Sequence, residues 1–167
     1  MKKSLAVIAA SFALSGCLQG PTTTDEVRKL TASGKMFSKQ SKLSVPRSHG
    51  AVTASLRKGA AKCMNRTVRS VSTTPGPYGP QTSVIVTDYK ATVKSGKGRT
   101  ELALHQQVRG SLFPQPGGIS YVVDALPVSG GTQLVMHGGR WGYKNLNAAV
   151  EQWARGGAIV CPKMPGS

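Results

Sequence analysis

Six carboxylates and three histidines are the residues of this 167-residue sequence best suited to acid–base or metal chemistry. Asp25, Glu26, Asp88, Glu101, Asp124 and Glu151 are scattered, and no two stand at a spacing that suits glycoside hydrolysis. His105 and His137 fall on the polar phase of alternating segments. That phase puts both on the uncovered, solvent side of a sheet, where Asp124 or Glu101 offers the one acid–base or metal arrangement the pattern allows. Ordinary exposed histidines are the simpler reading, and His49 has no assigned role. No H-x-x-x-H or G-x-S-x-G segment occurs. The expectation is a non-enzyme with no catalytic residues, no metal and no cofactor. One turn, Gly138-Gly139-Arg140-Trp141-Gly142-Tyr143, precedes the last helix. Arg140 with helix-terminal amides could hold an anion, and Trp141 and Tyr143 could stack on a sugar. The competing reading is a strand-to-helix turn whose aromatics belong to the core.

The cysteines divide into two kinds. Met1-Lys2-Lys3 is a basic start, and Leu5 to Leu14 is an uncharged run too short to cross a bilayer but suited to a secretory leader. Leu14-Ser15-Gly16-Cys17 follows directly and resembles the lipobox of bacterial lipoproteins. The resemblance implies a signal peptide over residues 1–16, cleavage before Cys17, and diacylglycerol and palmitate on that residue. Leu18 stands where an inner-membrane retention aspartate would be, so the resemblance implies an outer-membrane anchor with the domain facing the periplasm, surface exposure left open. Cys63 and Cys161 remain. An even remainder in an oxidising compartment reads as a disulfide, with a reactive thiol or metal ligands as alternatives. The loop it closes is long, and chain entropy puts such a closure at about 4–5 kcal/mol.

These residues need a scaffold. Residues 18–41 show weak periodicity and read, with Cys17, as a flexible lipid-anchored tether over 17–41, leaving a single α+β domain over 42–167. The domain opens with a strand over 42–45. A helix follows from an N-cap at Ser48 to about Asn65, its apolar face Val52, Leu56, Ala60 and Cys63, with Gly59 placed for close packing against a sheet. Strands are expected over 67–72, 83–93, 99–109, 119–126 and 132–137, with a loop over 75–80 and another over 113–118. A last helix runs from about 145 to 155. Successive strands joined by short Gly-rich turns make an antiparallel meander of five to six strands, with two helices on one face. The element order is similar to the helix-grip domains of the barrel-assembly lipoprotein BamC. That likeness is one of order alone and carries over no residue. A ferredoxin-like sandwich is the alternative.

Charge is the sharpest pattern. The formal charge is +16, or +14 (20 basic against 6 acidic residues) once Lys2 and Lys3 leave with the leader. Eleven basic residues and no acidic one lie between Val27 and Thr87. Lys58, Lys62 and Arg66 form one stripe on the expected helix, opposite its apolar face, and with Arg57 and Arg69 they are the expected contact surface for an anionic partner. Anionic lipid, cell-wall carboxylates or an acidic periplasmic protein fit that surface. Nucleic acid fits the charge but not the address. The sequence thus points to a non-enzymatic outer-membrane lipoprotein acting as an accessory or adaptor in envelope assembly or maintenance. The alternatives are a periplasmic small-ligand or lipid-binding domain, with a cavity lined by Leu104, Met136 and Trp153, and an envelope enzyme.

Overall fold

The structure is a computed structural model that describes residues 20–34, 38–96, 98–110, 117–139 and 142–165. Its elements are α1 (Thr24–Ala32), β1 (Ser38–Val45), α2 (His49–Cys63), β2 (Arg66–Gly76), β3 (Gly79–Gly96), β4 (Arg99–Arg109), β5 (Gly118–Val128), β6 (Gly131–Gly139) and α3 (Lys144–Ala154). The six strands form one sheet in the order β1-β6-β5-β4-β3-β2, and every neighbouring pair is antiparallel. β1 and β2 are therefore the two edges, and α2 carries the chain from one to the other across a sheet face. This is the expected α+β meander in a helix-grip-like arrangement. The ferredoxin-like alternative fails, because it needs parallel neighbours.

α2 and α3 cover the first face. Val52, Leu56, Ala60 and Cys63 of α2 and Leu146, Ala149, Val150 and Trp153 of α3 are buried against Leu102, Leu104, Tyr121, Val123, Leu134 and Met136 of the sheet. α2 starts on Ser48, whose Oγ accepts from the Ala51 amide. Gly59 does pack closely, but against the Trp153 ring of α3 rather than the sheet. A Cβ there would stand 2.3 Å from Trp153 Cε3.

Three expectations are corrected. First, the segment read as tether folds. Thr23 and Glu26 form a capping box: Thr23 Oγ1 accepts from the Glu26 amide while the Glu26 carboxylate accepts from the Thr23 amide. Two otherwise unpaired donors are satisfied, and the helix α1 follows. Its Val27 packs with Ala103, Ile119 and Val122 on the second face of the sheet, and β1 begins at Ser38. The domain thus includes residues ahead of 42, from Pro21 and α1 onward among the described residues. Second, the sheet is covered on both faces along β5 and β6. Tyr121 to Ala125 are buried without alternation, the pattern of a strand with both faces covered. A bulge at Ser120, between the pairs Leu104–Tyr121 and His105–Ile119, lets Ile119 join the second-face cluster while Tyr121 joins the main core. Third, the expected loop over 75–80 is strand up to Gly76 and again from Gly79, leaving a two-residue turn at Pro77-Tyr78. Pro75 and Pro80 sit opposite each other, next to the closing pair Gly76–Gly79. In that position their amide nitrogens point out of the ladder, so proline costs no hydrogen bond.

Cys63 and Cys161 are disulfide-bonded, with Cα atoms 5.0 Å apart. The chain after α3 lies back over the end of α2. Trp153 Nε1 donates to the Val160 carbonyl, Tyr89 Oη to the Pro165 carbonyl, and Met164 is buried in the core.

Candidate functional site: the seat of the N-terminal helix

Among the described residues, the densest group of ionisable side chains lies under α1 on the second face, where the alternation pattern predicts solvent. Arg28 projects from α1 onto the sheet. Its Nε donates to Asp124 Oδ2 at 2.8 Å and its Nη2 to Asp124 Oδ1 at 2.7 Å, a two-pronged pair. Nη2 also meets Glu101, and Nη1 meets Asp25 at 2.6 Å. Alternation supplies the receptors: Glu101 of β4 and Asp124 of β5 are register partners, so both carboxylates point to the same face. Arg99 adds a second cation 3.8 Å from Asp124.

His137, from β6, is 4% exposed. Its Nδ1 lies 2.7 Å from Thr31 Oγ1 and its Nε2 lies 3.5 Å from Asp124 Oδ2. Burial pushes the Asp124 carboxyl up, but the hydrogen bonds from His137 and Arg28 and the charges of Arg28 and Arg99 outweigh it, holding the group at about 2. The bond to Asp124 holds the Arg28 guanidinium well above its ordinary value. The expectation of a solvent-facing His137 is therefore wrong: α1 covers that half of the face. His105 is exposed as expected. It lines an open groove of about 460 Å³ with Thr22, Asp88, Lys90 and Gln107. Among the described residues, no three His, Cys, Asp or Glu side chains are arranged to hold a metal ion.

His49 caps a separate network at the start of α2. Its Nε2 lies 3.2 Å from both the Ala125 carbonyl and Thr100 Oγ1, and Thr100 in turn meets Thr53 at 2.7 Å and Ser95 at 3.2 Å. These contacts tie α2 to β3, β4 and β5. Ser55 and Lys58 stand at S-x-x-K spacing on α2, and the Ser55 hydroxyl accepts from Arg47 at 3.3 Å.

The five basic residues expected to form one surface are divided. Arg57 and Lys58 are exposed on α2, Arg57 donating to Ser95. α2 ends at Cys63, so Arg66 belongs to β2 rather than to a helical stripe. Lys62 and Arg66 point to the carbonyls of Ile159 and Pro162 and hold the C-terminal segment down. Arg69 lies three residues along β2 from Arg66 and so on the other sheet face. Arg47, also from the acid-free stretch, caps α3 through the Ala154 carbonyl at 2.7 Å, where a cation meets the negative helix end. Part of the cationic excess is thus structural.

Tyr143 stacks on Tyr121, ring centroids 5.6 Å apart. Burial pushes its hydroxyl up. That is the core-turn reading of the segment; Arg140 and Trp141, like Cys17, lie outside the described residues. Leu104, Met136 and Trp153 are inside the main core, each at most 5% exposed, and none lines the groove of His105. No family model matches the chain, and no curated protein or solved structure matches it either.

Proposed function

We propose that the chain is an outer-membrane lipoprotein whose domain acts without catalysis, as an accessory or adaptor in envelope assembly or maintenance. The leader and Leu14-Ser15-Gly16-Cys17 support the anchor. The observation that carries the adaptor reading is how soon after Cys17 the chain is fixed. The Pro21 carbonyl accepts from the Ile119 amide at 2.7 Å, and α1 is then held by Arg28 on Asp124 and Glu101. A binder that samples solution gains from a long leash; a subunit that presents one surface to a neighbouring component gains from a short, rigid one.

The presented surface includes Arg57 and Lys58, which stand outward on α2, and each basic residue near an anionic surface contributes about 1 kcal/mol. The packed positions of Leu104, Met136 and Trp153 weigh against a ligand cavity at those residues. The buried partners of His49 and His137 give both histidines structural work.

Mass spectrometry of the mature chain tests the anchor. The expected species begins at Cys17 and carries acyl chains, and Cys17→Ser moves the protein to the soluble fraction. Equal membrane recovery of the Cys17→Ser protein overturns the reading. Crosslinking in the intact envelope tests the adaptor role: R57E with K58E lowers partner capture and removes its salt dependence.

A further inference from the structure

β2 and β3 continue for seven residue pairs beyond Val86–Arg109, the last pair that β3 makes with β4, from Ser70–Ile85 out to Gly76–Gly79. At about 3.3 Å per residue, this two-stranded arm is roughly 20 Å long. Its composition departs from the rest of the molecule. Residues 70–87 contain no charged side chain, in a chain that is 17% charged and carries +16. Tyr78 at the tip is 98% exposed, Val71 61% and Ile85 39%. Exposed hairpins and edge strands in water are normally guarded by lysine or other charges. Among the described residues its guards stand at its base, where Arg69 and Arg109, the latter ion-paired with Asp88 at 2.5 Å, flank Val86 in one row across three strands.

The arm leaves the sheet at the end where the N-terminal segment arrives. β5 begins at Gly118, which pairs with Gln106 near the end of β4, and Pro21 is bonded to Ile119 beside it. Gly118 permits that approach, since a Cβ there would stand 2.8 Å from the Pro21 oxygen. Thr22 shares a groove with Asp88, Lys90 and His105, immediately below the base of the arm.

We propose that the β2–β3 arm lies in the headgroup layer of the membrane that carries the acyl anchor, with Tyr78 leading and Arg69 and Arg109 at the level of the lipid phosphates. This inference rests on the lipoprotein reading. Cys17 is four residues from Pro21, a reach of at most about 14 Å, and the arm is longer than that leash. A bilayer close enough to hold Cys17 is therefore within range of an arm that leaves the same end of the sheet. Tyrosine, with an apolar ring and a polar tip, suits the interface. The depth is limited by the backbone: in any two-stranded ladder alternate amides and carbonyls point away from the partner strand, and hydrocarbon does not tolerate such groups, whereas headgroups and their water satisfy them. The serines and threonines of the arm match that depth.

The test uses the full acylated protein in vesicles of phosphatidylethanolamine and phosphatidylglycerol. An environment-sensitive fluorophore is placed on Tyr78→Cys, on Thr82→Cys, or on Gln152→Cys of α3 as a distant reference; all three sites are exposed, so labelling leaves the core intact. The expected result is blue-shifted emission at 78 and 82, quenched by a nitroxide-bearing lipid and shielded from iodide, with the reverse at 152. A Gly/Ser insert of about 20 residues after Leu18 adds roughly 25 Å of reach and is expected to weaken the quenching at 78. Acylated protein whose label at 78 is as open to iodide as that at 152 overturns the proposal, whether the arm then proves to face solvent, a second copy or another protein. Mature protein without acyl chains by mass overturns the lipoprotein reading instead.

Discussion

A methyl group on Gly59 would stand 2.3–2.8 Å from three ring carbons of Trp153, whose side chain is fully buried. In an open helix, Gly→Ala stabilises by about 1 kcal/mol; here the ring has no room to move, because its Nε1 is committed to the Val160 carbonyl. The clash wins, and Gly59→Ala is expected to destabilise by about 1–3 kcal/mol, read as a lower urea midpoint. An unchanged or higher midpoint would mean that α2 and α3 slide apart freely. Arg28 is the other residue on which packing turns. Arg28→Gln removes the cation shared by Glu101 and Asp124 and leaves Asp124 with Arg99 and His137, a loss expected to stay below the ~3–5 kcal/mol of a fully buried pair, and it should speed amide exchange through α1 before the rest of the domain. The sequence marked Asp124 and Glu101 as candidates but paired them with histidines facing solvent, because a charge on a strand's polar phase looks the same whether water or a helix covers it.

The elements differ in how openly the sequence declares them. α2, the 99–109 strand and α3 announce themselves by periodicity, and their ends fall within two residues of expectation. α1 does not, since of its nine residues only Val27 and Thr31 are buried. Its signal is local instead: Thr23 and Glu26 at capping-box spacing. The matching sign on the sheet is the run Tyr121 to Ala125, apolar on both phases except for Asp124, which betrays a second covered face. The contact between these two elements is acid-sensitive. Asp124 has its carboxyl held at about 2 against an ordinary 3.8, so the folded state gains stability above about pH 4 and loses it as pH falls towards 2. The gain is about 1–2 kcal/mol after solvent screening. Asp124→Asn should flatten that part of a stability-against-pH curve; a curve with the same fall in the variant would assign the acid sensitivity to other groups.

For the whole molecule, the charge excess and the domain boundary change meaning together. Read linearly, eleven basic residues between Val27 and Thr87 form one collar next to a flexible leash. Folded, Arg28 locks α1, Arg47 caps α3, Lys62 and Arg66 hold the C-terminal segment, and Arg69 is turned to the opposite face from Arg66. Charge is legible in a sequence; the carbonyls and carboxylates that absorb it come from distant segments and are not. The boundary makes a sharp test, because a tether and a structural helix respond oppositely to deletion. Removing residues 18–34 from a chain with a flexible tether should leave thermal stability unchanged. Here the deletion bares Ala103, Ile119 and Val122, frees the Ile119 amide, and leaves Asp124 without Arg28. The loss of packing around Val27 and of the ion cluster is expected to cost about 3–5 kcal/mol, with an apolar-dye signal from the uncovered face. A shorter deletion of residues 18 and 19 alone should leave the melting temperature in place. If both deletions melt like the intact chain, α1 is not part of the folding unit and the rigid seat argued for the anchor disappears with it.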